Sequence, residues 1–172
     1  MDLGVLGARV LFHVLDQFGY SDLAWHIITR TDYPSYGNWV VRGATTLWES
    51  FFSGKDDGLP SLNHHFWGDV SAWFIKCVAG IRVNPTRKDP HTVKIRPAFI
   101  SGLDSASAYH ITPDGKVSVS WRREGESICL TVDVPRNAIA YVNLPSGYAF
   151  EDRTSVCFAE EGKNTFRVHK IF

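Results

Sequence analysis

The spacing of apolar residues changes once along this chain, and that change limits the folds open to it. Up to about Ile81 apolar side chains recur every three or four residues; beyond Asn84-Pro85 they recur every second residue. The first period suits helices with a buried face, and the second suits strands in a half-buried sheet. A single switch of this kind predicts an α+β chain in two segments, helices first and an antiparallel β-sandwich second, with the boundary near residues 82 to 91.

In the helical segment Leu6, Val10, Val14 and Phe18 fall at four-residue spacing, and Gly19 stands where a helix is expected to stop. Ser21 is a candidate N-cap for "SDLAWHIITR", with Leu23, Ile27 and Ile28 on one face. Pro34 breaks that helix and opens an aromatic loop carrying Tyr33, Tyr36 and Trp39. The spacing predicts a short helix over about Thr45 to Phe52 and a last helix over about Phe66 to Ala79, with Phe66, Val70, Phe74 and Val78 on one face. Helices with this much apolar surface, including Trp25, Phe52, Trp67 and Trp73, read as a slice of a larger helical array, and self-association is expected of them otherwise.

In the second segment "TVKIRPAF", "ASAYHIT", "KVSVSWR", "SICLTVDV", "AIAYVNL" and "TFRVHKIF" read as strands between turn signals such as Pro113-Asp114-Gly115. Val117, Val119 and Trp121 face one way there, and Ser118 and Ser120 the other. Six or seven such strands describe a sandwich.

Several classes of function are disfavoured. Eighteen basic and eighteen acidic side chains cancel, so no nucleic acid or anionic membrane is expected to be held by bulk charge. No apolar run reaches the length of a membrane span, and the N-terminus lacks the basic lead of a signal peptide. Cys77, Cys129 and Cys157 have no metal-ligand spacing and imply no disulfide framework; each is expected as a free thiol in an apolar interior. Neither a metal nor a cofactor is expected, and free cysteines suit a cytoplasm without excluding a periplasm. No catalytic Ser-His-Asp order, phosphate-cradling loop or nucleotide fingerprint occurs. The surplus of Trp and Tyr suits sugar faces as well as cores.

Three places could carry chemistry. Glu49 follows Trp48; Thr46 and Glu49 fit a capping box, while desolvation by neighbouring rings would instead suit a general base. Asn63 and His64 in "SLNHHFWGD" could hydrogen-bond a ligand's hydroxyls or could cap the helix that follows. Tyr36 and Trp39 in "DYPSYGNW" could stack on a sugar or pack beneath their own loop.

At these residues the sequence resembles a known family. "YPSYGNWVVRGATTLWESF", "LPSLNHHFWGDVSAWFIKCVAGI" and "VKIRPAFISGLDSASAYHITPDGKVSVSWRREG" are similar to the C-terminal end of bacterial α-L-rhamnosidases, the inverting glycoside hydrolases of family 78. The resemblance covers essentially the whole chain. It implies that residues 1–82 are the last helices of an (α/α)6 catalytic barrel and residues 83–172 a C-terminal β-sandwich. It also implies that Glu49 is the general base, that His64 contacts the sugar, and that Trp48, Asn63, Trp39 and Tyr36 line the sugar site. Tyr36 stands where relatives often carry tryptophan. The implied substrate is a rhamnose-containing glycan. The general acid lies upstream of these motifs in the family, and Asp56, Asp57 and Asp69 do not match its motif, so a barrel half supplied from elsewhere is the implied partner.

Overall fold

The computed structural model describes residues 3–51, 61–83 and 89–171. Phe52, Asp56, Asp57 and the Asn84-Pro85 signal therefore lie outside the described residues. The chain divides into two compact units, Met1–Trp73 and Phe74–Phe172.

The first unit is helical. Helices α1 (Val5–Gln17), α2 (Ser21–Thr29) and α3 (Tyr36–Val41) are followed, after a long irregular stretch, by a 3-10 turn (His65–Gly68) and the short α4 (Asp69–Trp73). Helix α1 ends as expected, with Gly19 at positive φ just beyond it. Its buried side is not the one that the four-residue spacing picks out. Ala8, Phe12 and Asp16 are buried, whereas Leu6, Val10, Val14 and Phe18 are 75%, 57%, 40% and 69% exposed. Periodicity identifies an apolar stripe, but packing within this unit uses the opposite side, where Phe12 meets Tyr36 and Trp73 at ring distances of 6.1 and 6.2 Å.

Other expectations are corrected as well: the segment read as a loop around Tyr36 and Trp39 is helix α3, because Ser35 caps it just after Pro34. Ser21 is the first residue of α2 and not its cap; its hydroxyl donates to the Asp16 carboxylate at 2.9 Å, which satisfies both buried polar groups. On α2, Ala24 and Ile28 are buried while Leu23 is exposed. The continuous helix expected over Phe66 to Ala79 is broken into three pieces: the 3-10 turn, α4, and a π-helical turn over Phe74–Ala79 that belongs to the second unit. Val70 and Val78 of the expected face are buried, but the irregular winding puts Trp67, Trp73 and Cys77 inside with them and leaves Phe66 and Phe74 exposed.

Among its described residues the second unit continues into nine strands: β1 (Ile81–Arg82), β2 (Thr92–Ile95), β3 (Ser105–Thr112), β4 (Gly115–Glu124), β5 (Ser127–Val134), β6 (Ile139–Asn143), β7 (Tyr148–Phe150), β8 (Val156–Ala159) and β9 (Gly162–Lys170). They form a four-stranded sheet in the order β1-β2-β6-β8 and a five-stranded sheet in the order β3-β4-β5-β9-β7. The pairing is antiparallel apart from β2 with β6, which run parallel. Val117, Val119 and Trp121 point inward and are buried, as the alternation predicts. They meet Leu130 and Val132 of β5 in a core to which the smaller sheet adds Val93, Ile95, Ala140 and Val142. Trp121 also donates its indole N–H to the Val78 carbonyl at 2.8 Å, tying the π-helical turn to this core. Cys77 is buried, but Cys129 and Cys157 are only half-buried; all three are free thiols.

Candidate active site

The candidate residues all lie in the helical unit, and a sharp chain reversal places them. Ser35 caps α3, accepting from the Asn38 N–H at 3.0 Å, while its buried hydroxyl reaches the carbonyls of Arg30 (2.5 Å) and Asp32 (2.8 Å). Gly37 passes so close to the end of α2 that a Cβ there would sit 2.2 Å from the Arg30 carbonyl oxygen, so no larger residue fits. This tight junction turns Tyr36 and Trp39, one helical turn apart, into the interior.

There they join Phe51 and Trp67 in an aromatic cluster. Trp39 stacks on Phe51 at 4.3 Å, and Trp67 meets Phe51 edge-on at 4.6 Å. The polar atoms of the rings hold the backbone of the site. Tyr36 donates its hydroxyl to the Trp67 carbonyl (3.0 Å), Trp39 its indole N–H to Ser50 (3.2 Å), and Trp67 its indole N–H to Glu49 (2.9 Å). Burial, with a contribution from Asp69, pushes the Tyr36 phenol well above its ordinary pKa, so it stays protonated as a donor. Asp69 itself is paired with His13 at 2.7 Å.

No helix forms over the described part of Thr45–Phe52, and this overturns the expected capping box. Residues 44–51 are irregular and are tied to residues 61–64. The Thr46 hydroxyl donates to the Leu62 carbonyl, His64 N–H to Leu47 (2.7 Å), and Glu49 N–H to Ser61 (2.8 Å). Ser61 N–H returns a bond to Oε2 of Glu49 at 2.8 Å. Thr46 and Glu49 thus have long-range partners in place of a local cap. Glu49 is exposed, so the apolar surround expected for it is not formed by the described residues.

The paired segments bring Trp48 and Glu49 together with Asn63 and His64. Asn63 is exposed; His64 is half-buried, with its ring edge-on to Phe66 at 5.0 Å, and its side chain does not cap the 3-10 turn that follows. Trp48 is half-buried between Trp39 (6.2 Å) and the Arg42 guanidinium (5.6 Å). Tyr36 and Trp39 are 8% and 2% exposed and form part of the floor of a separate depression of about 270 Å³, whose rim runs from Ala44 to Leu47. That depression does not include Glu49, Asn63 or His64. Trp67 and Ser61, which hold Glu49 from two directions, were not singled out from the sequence; an indole bond to a carbonyl 18 residues away leaves no local pattern.

Two family models match consecutive stretches of the chain. Residues 1–78 match the bacterial α-L-rhamnosidase six-hairpin glycosidase domain, and residues 80–153 the bacterial α-L-rhamnosidase C-terminal domain. The chain belongs to the bacterial α-L-rhamnosidase family. An α-L-rhamnosidase of Formosa agariphila is 35% identical over 83% of this chain and 16% of its own length. The solved α-L-rhamnosidase from Dictyoglumus thermophilum superposes with a TM-score of 0.86 at 27% identity, over 99% of this chain and 21% of that one. The Streptomyces avermitilis α-L-rhamnosidase, solved in complex with L-rhamnose, superposes with a TM-score of 0.74 at 32% identity, over 97% of this chain and 17% of that one. The chain thus spans about a sixth of the length of the curated α-L-rhamnosidases it matches.

Proposed function

We propose that this chain is the C-terminal portion of a glycoside hydrolase that removes terminal α-L-rhamnose with inversion, and that Glu49 is its general base. Residues 1–82 act in this reading as the last helices of an (α/α)6 barrel, and residues 83–172 as its C-terminal sandwich. The observation that carries the proposal is the way Glu49 is held. One carboxylate oxygen, Oε2, accepts from Ser61 N–H, and the residue's own N–H and C=O are fixed by Ser61 and Trp67. The other oxygen is left to hold and deprotonate a water. Inversion needs a carboxylic acid across the sugar, roughly 6.5–9.5 Å from the base, so that water fits between them. His64 and Asn63, on the segment hydrogen-bonded to that of Glu49, are placed to bind sugar hydroxyls, and half-buried Trp48 to face the ring. Tyr36 and Trp39, turned into the interior, act in this reading as supports of the backbone beneath the site, through their bonds to the Trp67 and Ser50 carbonyls. That a relative was solved with L-rhamnose bound supports this sugar class.

The acid is proposed to come from outside this chain, which leaves it inactive alone; losing the acid forfeits on the order of 10²–10⁴-fold. A second reading, one chain of a split enzyme or a carbohydrate-binding or structural module, is favoured by the exposed stripe Leu6, Val10, Val14 and Phe18. Hydrolysis of a chromogenic aryl α-L-rhamnoside by the chain and by Glu49→Gln, measured side by side, tests the proposal. No turnover in either is expected, with activity appearing when the missing barrel half is added to the chain but not to the variant. Equal activity of chain and variant in that reconstituted mixture would remove Glu49 from the base role.

A further inference from the structure

The outward face of the five-stranded sheet differs from the solvated side of an ordinary sandwich. Strand register sets Ser107 of β3, Ser120 of β4, Thr131 of β5 and Thr165 of β9 directly opposite one another, a hydroxyl on each of four neighbouring strands. One step along, Tyr109 stands 60% exposed, and beyond it Ile111 is 63% exposed. Serine and threonine pointing out from a sheet are common. Single apolar side chains are ordinary on a surface; what sets this face apart is that Tyr109 stands directly beside the row of hydroxyls.

The surface there is also concave. Two depressions, of about 720 and 410 Å³, share Ser107, Ser120 and Thr131 and so form one continuous trough. Tyr109 and Lys116 line the larger depression, and Arg122 the smaller. Lys116 lies 4.8 Å from the centre of the Tyr109 ring, which steadies the phenol by a cation–π contact. The trough crosses the strands, whose spacing is about 4.7–4.9 Å. That spacing is close to the length of one pyranose unit along a glycan.

We propose that this trough binds an extended oligosaccharide, laid across the strands, with one sugar unit over each of β3, β4 and β5. Ser107, Ser120 and Thr131 each exchange hydrogen bonds with a sugar hydroxyl. Tyr109 carries the apolar face of the terminal ring, and Arg122 offers its guanidinium donors at the other side of the row. Each contact is open to water, so binding is weak and builds with chain length. The site is separate in sequence from Glu49 and does not rest on its proposed role.

The test is affinity electrophoresis of the full chain in native gels containing a soluble rhamnose-bearing pectin or a soluble β-glucan. Two variants, Tyr109→Ala and the triple change Ser107→Val, Ser120→Val and Thr131→Val, are run beside Glu49→Gln. Valine keeps strand propensity while removing each hydroxyl, and circular dichroism checks that both variants stay folded. Retardation by at least one polysaccharide, weakened at least fivefold in both face variants and unchanged in Glu49→Gln, is expected. No retardation by either polysaccharide overturns the proposal, as does retardation that survives in both face variants or vanishes in Glu49→Gln. A change in sedimentation of the face variants without a change in retardation would make the trough a contact between copies, and the proposal would again fall.

Discussion

Replacing Trp67 with phenylalanine separates the two things this side chain does. It packs against Phe51, Trp39 and Tyr36, and its indole N–H donates to the Glu49 carbonyl at 2.9 Å. Phenylalanine keeps a ring in the cluster and deletes the donor. Leaving that carbonyl without its partner costs about 1–3 kcal/mol. The smaller ring in a site only 3% exposed adds roughly 1–2 kcal/mol for lost packing. Unfolding of the helical unit should move accordingly, by roughly 4–8 °C for each kcal/mol. The decisive readout is local. Amide exchange at Ser61 and His64 reports the bonds to Glu49 Oε2 and the Leu47 carbonyl. If Trp67 fixes this segment, both amides should exchange faster, by about tenfold for each 1.4 kcal/mol transferred to local opening. A variant that loses stability while both amides keep their native exchange rates would show that Trp67 only fills space.

Three further outcomes are expected. Gly80→Ala should destabilise the sandwich unit by more than the roughly 1–2 kcal/mol of a left-handed alanine, because φ is +96° and a Cβ would lie 2.3 Å from the Pro97 nitrogen; an unchanged denaturant midpoint would contradict this. Burial, and then Asp152, pushes the Cys157 thiol up to about 11. Its alkylation, followed by peptide mass mapping, should therefore be slow at pH 8 and climb until pH nears about 11, since only the thiolate reacts. The same shift makes its contribution to stability present below the ordinary thiol pKa and lost as pH rises through about 11. The Arg30 hydrogen bond, opposed in part by desolvation, holds Asp32 down to about 2, so the pair's contribution is present above the ordinary carboxylate range and lost as pH falls toward about 2. A carboxyl-carbon titration should find that midpoint in the native chain, and Arg30→Gln should raise it.

The sandwich was legible where burial follows a local alternation. Val117, Val119 and Trp121 needed no knowledge of their partners to be placed inside, and the predicted span of β5 is the one observed. The strands β1 and β7 were not picked out because two or three residues carry too little period to separate from turn. In the helical unit α1 and α2 were legible as helices but not in their facing, while the segment read as an aromatic loop forms α3 and the described part of Thr45–Phe52 forms no helix. Leu6, Val10, Val14 and Phe18 define a stripe whatever they touch, and spacing alone cannot say whether a neighbour covers it. The site failed at one point for a related reason. T-x-x-E is a local pattern, and Thr46 and Glu49 satisfy their polar groups through Leu62 and Ser61 across a loop instead. Backbone interrupted by a π-helical turn likewise escapes a rule built on 3.6 residues per turn.

The parallel pairing of β2 with β6 has a consequence for the order in which the second unit assembles. Between Ile95 and Ile139 lie all of β3, β4 and β5, which are joined by short turns and pair in sequence. The loop that must close before β2 can dock is therefore long, and its entropy is recovered only once the meander has shortened it. The β3–β5 meander should form first and serve as the template, with β2 docking onto β6 late. Strand β2 is only four residues long, so few ladder bonds hold this late-closing seam against local opening.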